Sequence, residues 1–189
     1  MALALTPLHP LFAAQASGID LSQPLSAADV RAIDAAMDQY AVLVWRDQPL
    51  SEDQQVAMAQ SFGTLDSALK RLRGAPDRYR HEATIDISNV GIDGQVIDRA
   101  HAKTASNIAN QLWHSDASFQ RPAAKYSMLH AVVCPAEGGD TEFCDLRAAY
   151  DALDTSTRQR IAGLQSEHYV LHSRMLLGDT HYKIGRAHV

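Results

Sequence analysis

The sequence predicts a mainly β domain of the sandwich or jelly-roll type, with helices packed outside it. Three observations point there. Runs that read as strands dominate the middle of the chain, capped amphipathic helices flank them, and the two kinds of element do not alternate as a parallel α/β fold requires. At 189 residues, 46% hydrophobic and 21% charged, the chain has the size of one domain and enough apolar content for a sizeable core.

The first helix opens at Ser26, an N-cap with Asp29 three residues on, and carries Val30, Ile33, Met37 and Tyr40 at helical spacing. Ala41-Val42-Leu43-Val44-Trp45 is a continuous apolar run, the pattern of a buried strand, and Asp47-Gln48-Pro49 breaks it. Ser51 with Gln54 repeats the capping box for a second helix, which places Val56, Met58, Ala59 and Phe62 as apolar positions and stops at Gly63. Residues 65 to about 108 are polar and irregular, apart from the alternating stretch Thr84 to Val90 and the turn signal Gly91-Ile92-Asp93-Gly94. Further strands are expected at Ser127 to Cys134 and, after a turn over Pro135 to Gly139, from Thr141 to Cys144. A helical stretch runs from Leu146 through Leu153 to Ile161, and His168 to Leu171 is strand-like again.

Composition excludes several functions. A net charge of −5 gives no electrostatic footprint for nucleic acid. The densest basic stretch, Lys70-Arg71-Leu72-Arg73 with Arg78 and Arg80 nearby, reads as a solvated loop, or as a face toward a small anionic substrate. Cys134 and Cys144 lie in strand-like apolar contexts and are expected to be reduced, buried thiols, since two cysteines make neither a disulfide framework nor a zinc cluster. The N-terminus has no basic region before its short apolar stretch, which Pro7 ends, so no signal peptide is expected. No apolar run approaches the roughly 20 residues that span a bilayer. The expectation is a cytoplasmic protein with no membrane and no nucleic-acid partner.

His114 and Asp116 are the candidate metal ligands. On an extended chain residues i and i+2 share a face, so an imidazole nitrogen and a carboxylate oxygen can meet on one ion. Two His and one carboxylate on one face of an iron(II) octahedron leave the opposite positions for a bidentate cosubstrate and O2. The bare tripeptide is weak, because it recurs by chance and a lone His is usually a hydrogen-bonded structural residue.

Context strengthens it. The run Trp113-His114-Ser115-Asp116-Ala117-Ser118-Phe119, followed by Gly138-Gly139-Asp140-Thr141, resembles the TauD/TfdA family of iron(II)- and 2-oxoglutarate-dependent dioxygenases. The likeness runs from about Pro7 to about Tyr182 and is nearest to family members that act on aryloxyacetates. It implies a double-stranded β-helix, a jelly roll with helices outside, incomplete at the C-terminus of this chain. It also implies Fe(II), with His114 and Asp116 as ligands, and 2-oxoglutarate as cosubstrate, with ascorbate in support. Thr141 matches the Thr whose hydroxyl holds the far carboxylate of 2-oxoglutarate. Asn110 matches a pocket amide, and Lys70 falls near a substrate-contacting Lys. The implied reaction hydroxylates a small carboxylate such as 2,4-dichlorophenoxyacetate beside its ether oxygen, using O2. The products are a phenol, glyoxylate, succinate and CO2.

The family's distal His ligand and its Arg for 2-oxoglutarate are not expected within this chain. His168 and His172 match an earlier, non-ligand position, and His181, His188 and Arg186 lie too near the end of the likeness. Residues 1–182 are therefore read as the N-terminal part of the dioxygenase domain. Residues 183–189 have the form of translated library adapter and are expected to be non-native. The 189-residue polypeptide is expected to be poorly folded and inactive. Alternatives are a taurine- or sulfonate-type dioxygenase of the same family and a non-catalytic cupin-like binding module. A zinc hydrolase is disfavoured because H-E-x-x-H is missing. Homo-oligomerisation of the intact form is left open.

Overall fold

The computed structural model describes residues 2–67, 78–98 and 111–168. The chain divides into two compact units, Met1–Gly63 with Leu129–Gln165 and Thr64–Met128 with Ser166–Val189.

The first unit holds a three-stranded sheet of order β1-β2-β3, made of Ala4–Pro7, Ala14–Ser17 and Leu43–Trp45. Strands β1 and β2 are antiparallel with Ala4 opposite Ser17, whereas β2 and β3 are parallel with Ala14 opposite Leu43. A parallel pair cannot be joined by a hairpin, and helix α1 (Ala27–Tyr40) makes the crossover. Neither β1 nor β2 stands out in the sequence, because β1 is only four residues ending in Pro7 and β2 is made of Ala, Gln and Ser, with no β-branched or aromatic residue. Pro7, which cannot donate to a ladder, is tolerated at the end of an edge strand. Gly18, directly after β2, has φ +90°, and a Cβ there would collide with the Ala2 carbonyl.

Both predicted capping boxes form. The Ser26 and Asp29 side chains satisfy each other's backbone N–H at the start of α1, and Ser51 and Gln54 do so for α2 (Glu52–Gln60). The apolar face of α1 then closes the core. Ile33 packs with Ile19 and Leu21, and Met37, Leu43, Trp45, Met58 and Phe62 cover that cluster. The predicted strand 41–45 shortens to Leu43–Trp45 because Ala41, at φ +60°, terminates α1 in the left-handed region.

The helical stretch predicted from Leu146 to Ile161 is two helices, α3 (Leu146–Asp151) and α4 (Thr155–Ile161). Asp154 separates them. It accepts from the Thr157 N–H and from the Ser156 and Thr157 hydroxyls, a local network that competes with continued helix. At the start of α3, Arg147 grips Asp145 and donates to the Asp38 carbonyl at 2.6 Å. Helix α1 has no basic residue in its last turn. A guanidinium 109 residues away therefore meets the negative end of its dipole and an unsatisfied carbonyl.

The strands predicted at 84–90, 127–134 and 141–144 form no ladder among the described residues. Only an isolated antiparallel bridge, Val90 to Val96, appears, around the predicted turn at Gly91 to Gly94. Apolar residues of these runs remain open to solvent, with Val133 83% exposed. Cys134 and Cys144 are exposed as well, against the expectation of buried thiols. A strand pattern buries its faces only when partner strands and a facing sheet cover it, and local sequence cannot supply those. The strand-like segment 168–171 lies outside the described residues beyond His168, as does the 183–189 tail. Among the described residues no helix is long and apolar enough to cross a membrane.

Candidate metal centre

Residues 113–115 are irregular and 116–119 form a turn, so His114 and Asp116 do not sit on a regular strand. Their side chains meet all the same, with His114 Nε2 3.2 Å from Asp116 Oδ1. The other ring nitrogen, Nδ1, lies 2.6 Å from the Leu112 carbonyl oxygen. A carbonyl can only accept, so Nδ1 carries the proton and donates it. In the neutral ring Nε2 is then a lone pair facing a carboxylate oxygen. Two acceptors at that separation need a cation or a proton between them.

A metal ion fits this donor set. Cis ligands about 2.1 Å from an octahedral ion stand about 3.0 Å apart, close to the observed separation. The Nδ1–H bond to a backbone carbonyl is the outer contact that orients metal-ligating histidines. Both side chains are about half exposed, 47% for His114 and 57% for Asp116, which leaves room for further ligands. Among the described residues no group of three or more His, Cys, Asp or Glu converges, so the pair has no third protein ligand there.

Trp113, the motif residue before His114, is 67% exposed. Thr141 lies in the first compact unit, exposed, behind Gly138 and Gly139 at φ +70° and +76°. Consecutive left-handed residues account for the paired glycines of that turn, since side-chain-bearing residues would be strained at both. Asn110 and Lys70 lie outside the described residues, as do His172, His181, Arg186 and His188. Arg78, read as part of a solvated basic loop, instead forks onto Asp86, with Nε 2.7 Å from Oδ2 and an Nη2 3.0 Å from Oδ1. The same Nη2 reaches the Ser88 hydroxyl at 3.2 Å. Sequence reasoning missed this pair, and it missed His168, whose Nδ1 is 2.8 Å from Ser118 Oγ. No local signal marks either contact, although Ser118 belongs to the motif around His114.

The chain belongs to the family described as taurine catabolism dioxygenase TauD, TfdA family, which it matches over residues 4–189. It is 53% identical over 182 residues to the alpha-ketoglutarate-dependent 2,4-dichlorophenoxyacetate dioxygenase of Cupriavidus pinatubonensis, covering 96% of this chain and 63% of that one. A dioxygenase of the same description from a Burkholderia species is 52% identical over 93% of this chain and 59% of its own length. Among solved structures, AAD-2 in complex with Mn(II) and N-oxalylglycine superposes with a TM-score of 0.83 at 41% identity. The match covers 97% of this chain and 62% of AAD-2. The chain thus spans about three-fifths of the length of these relatives.

Proposed function

We propose that these residues form part of an Fe(II)- and 2-oxoglutarate-dependent dioxygenase that hydroxylates an aryloxyacetate such as 2,4-dichlorophenoxyacetate. The observation that carries this is the approach of His114 Nε2 to Asp116 Oδ1, 3.2 Å apart, in a chain 53% identical to an enzyme named for that substrate. The likeness to AAD-2 supports a double-stranded β-helix as the complete architecture.

In this reading His114 offers a neutral lone pair oriented by the Leu112 carbonyl, and Asp116 offers one negative charge toward the ion. Iron(II) with 2-oxoglutarate and O2 supplies the oxidising power to hydroxylate an unactivated C–H bond. Thr141 donates its hydroxyl to the far carboxylate of the cosubstrate, presented by the Gly138-Gly139 turn. N-oxalylglycine, the ligand of AAD-2, carries the same two terminal carboxylates as 2-oxoglutarate and supports that choice of cosubstrate. The Asn110 amide and the Lys70 ammonium hold the substrate carboxylate, as complementary charge and hydrogen bonding require. Hydroxylation beside the ether oxygen gives a hemiacetal, which collapses to a phenol and glyoxylate. Succinate and CO2 balance the cosubstrate.

Anaerobic addition of Fe(II) and 2-oxoglutarate to the intact enzyme should give a weak visible charge-transfer band, and air with 2,4-dichlorophenoxyacetate should release the phenol. His114→Ala and Asp116→Ala should each abolish both. Unchanged phenol release in either variant would sink the assignment. The 189 residues alone are proposed to be inactive, and iron-dependent consumption of 2-oxoglutarate by them would refute that.

A further inference from the structure

Ser118 closes the turn that carries Asp116. Its Oγ lies 3.0 Å from the Ser115 carbonyl oxygen and 2.8 Å from His168 Nδ1. A serine hydroxyl has one proton and a carbonyl can only accept, so that proton goes to Ser115. Oγ must then accept from His168, which requires the proton of that ring to be on Nδ1. The result is a directed chain, from His168 Nδ1–H to Ser118 O–H to the Ser115 carbonyl.

The chain ends on the one residue between His114 and Asp116. The turn it braces is not one the backbone adopts for nothing, since Ala117 sits at φ +51°, a conformation that costs an alanine about 1 kcal/mol or more. Contacts around the turn must offset that. The Gln120 N–H bonds the Ala117 carbonyl at 3.1 Å, and the Gln120 side chain donates to Asp66 Oδ2 at 2.7 Å. His168 and Ser118 provide the tie on the ligand side, across 50 residues of chain. Without it, the turn could relax and carry the Asp116 carboxylate away from His114 Nε2.

We propose that His168 and Ser118 are positioning residues for a divalent cation held by His114 and Asp116. The proposal rests on the metal-binding reading of that pair. It assigns His168 a role outside the coordination sphere, as a donor whose only required atom is Nδ1–H.

Mn(II) titration of the intact enzyme, followed by the electron paramagnetic resonance of free Mn(II), tests it. The wild-type chain should bind and His114→Ala should not. Ser118→Val should weaken binding about 10–100-fold, the range for loss of an outer contact, while the nearly isosteric Ser118→Thr, which keeps the hydroxyl, should stay close to wild type. His168→Ala should behave like Ser118→Val, and His168→Asn, whose amide nitrogen replaces Nδ1–H, should recover most of the affinity. Unaltered binding in His114→Ala, or none by the wild-type chain, overturns the metal reading and this proposal together. Loss in His114→Ala with equal affinities in Ser118→Val and Ser118→Thr, or in His168→Ala and His168→Asn, overturns the positioning role alone.

Discussion

Replacing Arg78 with Met removes a guanidinium from Asp86, the buried charged residue among the described residues, which is 5% exposed. Met keeps much of the aliphatic stem, so the change is mainly the loss of the hydrogen bonds to Asp86 at 2.7 and 3.0 Å, of the one to Ser88 at 3.2 Å, and of the compensating charge. Breaking a fully buried pair by removing one partner costs about 3–5 kcal/mol, because the remaining charge is stranded. Here the Arg78 side chain is 34% exposed, so water reaches one side of the pair and screens part of that loss. The expected destabilisation is therefore about 2–3 kcal/mol. In urea, with a slope of about 2 kcal/mol per molar for a domain of this size, the unfolding midpoint should fall by about 1–1.5 M. A second change, Asp86→Asn, should restore part of the loss in the double variant by removing the buried charge that the guanidinium had compensated. An unfolding free energy for Arg78→Met within about 0.5 kcal/mol of wild type would refute the reasoning, since surface substitutions behave that way.

Two further outcomes follow from the first compact unit. Gly18→Ala combines a left-handed backbone with a Cβ driven into the Ala2 carbonyl. It should cost about 2–4 kcal/mol, read as a lowered thermal midpoint, and a wild-type midpoint would contradict the turn geometry. Acid should unravel the capped helices. The Ser26 hydroxyl and N–H hold the Asp29 carboxyl below its ordinary range, the Arg147 guanidinium does so for Asp145, and the Ser156 hydroxyl with the Thr157 N–H holds Asp154 far below it. Folded-state values depressed in this way stabilise fully above the unfolded-state value near about 4 and lose that contribution as pH falls through the folded values. Far-UV circular dichroism should stay flat from neutral pH down to about 5 and decline below it. A decline centred near neutrality would contradict the assignment.

The caps at Ser26 and Ser51 and the turn at Gly91 were legible because every atom involved lies within about four residues of its partner. The break at Asp154 was local too, yet it was masked by apolar spacing that suited one longer helix equally well. Strand runs such as 127–134 could be recognised as apolar and β-branched, but what pairs with them is a property of distant chain. Arg147 bonding the end of α1 across 109 residues left no trace in local patterning, for the same reason.

At the candidate site the division is similar. The amino-acid sequence by itself determined that His114 and Asp116 stand two residues apart, close enough to share an ion, in a motif that marks the family. It also placed two glycines where the backbone before Thr141 turns left-handed. Only the tertiary structure decided that Arg78 is bound to Asp86 and not to solvent, and that His168 reaches Ser118. Short-range contacts are dictated by bond geometry and the few rotamers within a turn of chain. Contacts across 50 or more residues exist only after the entropy of closing that loop has been offset by the packing of everything between them.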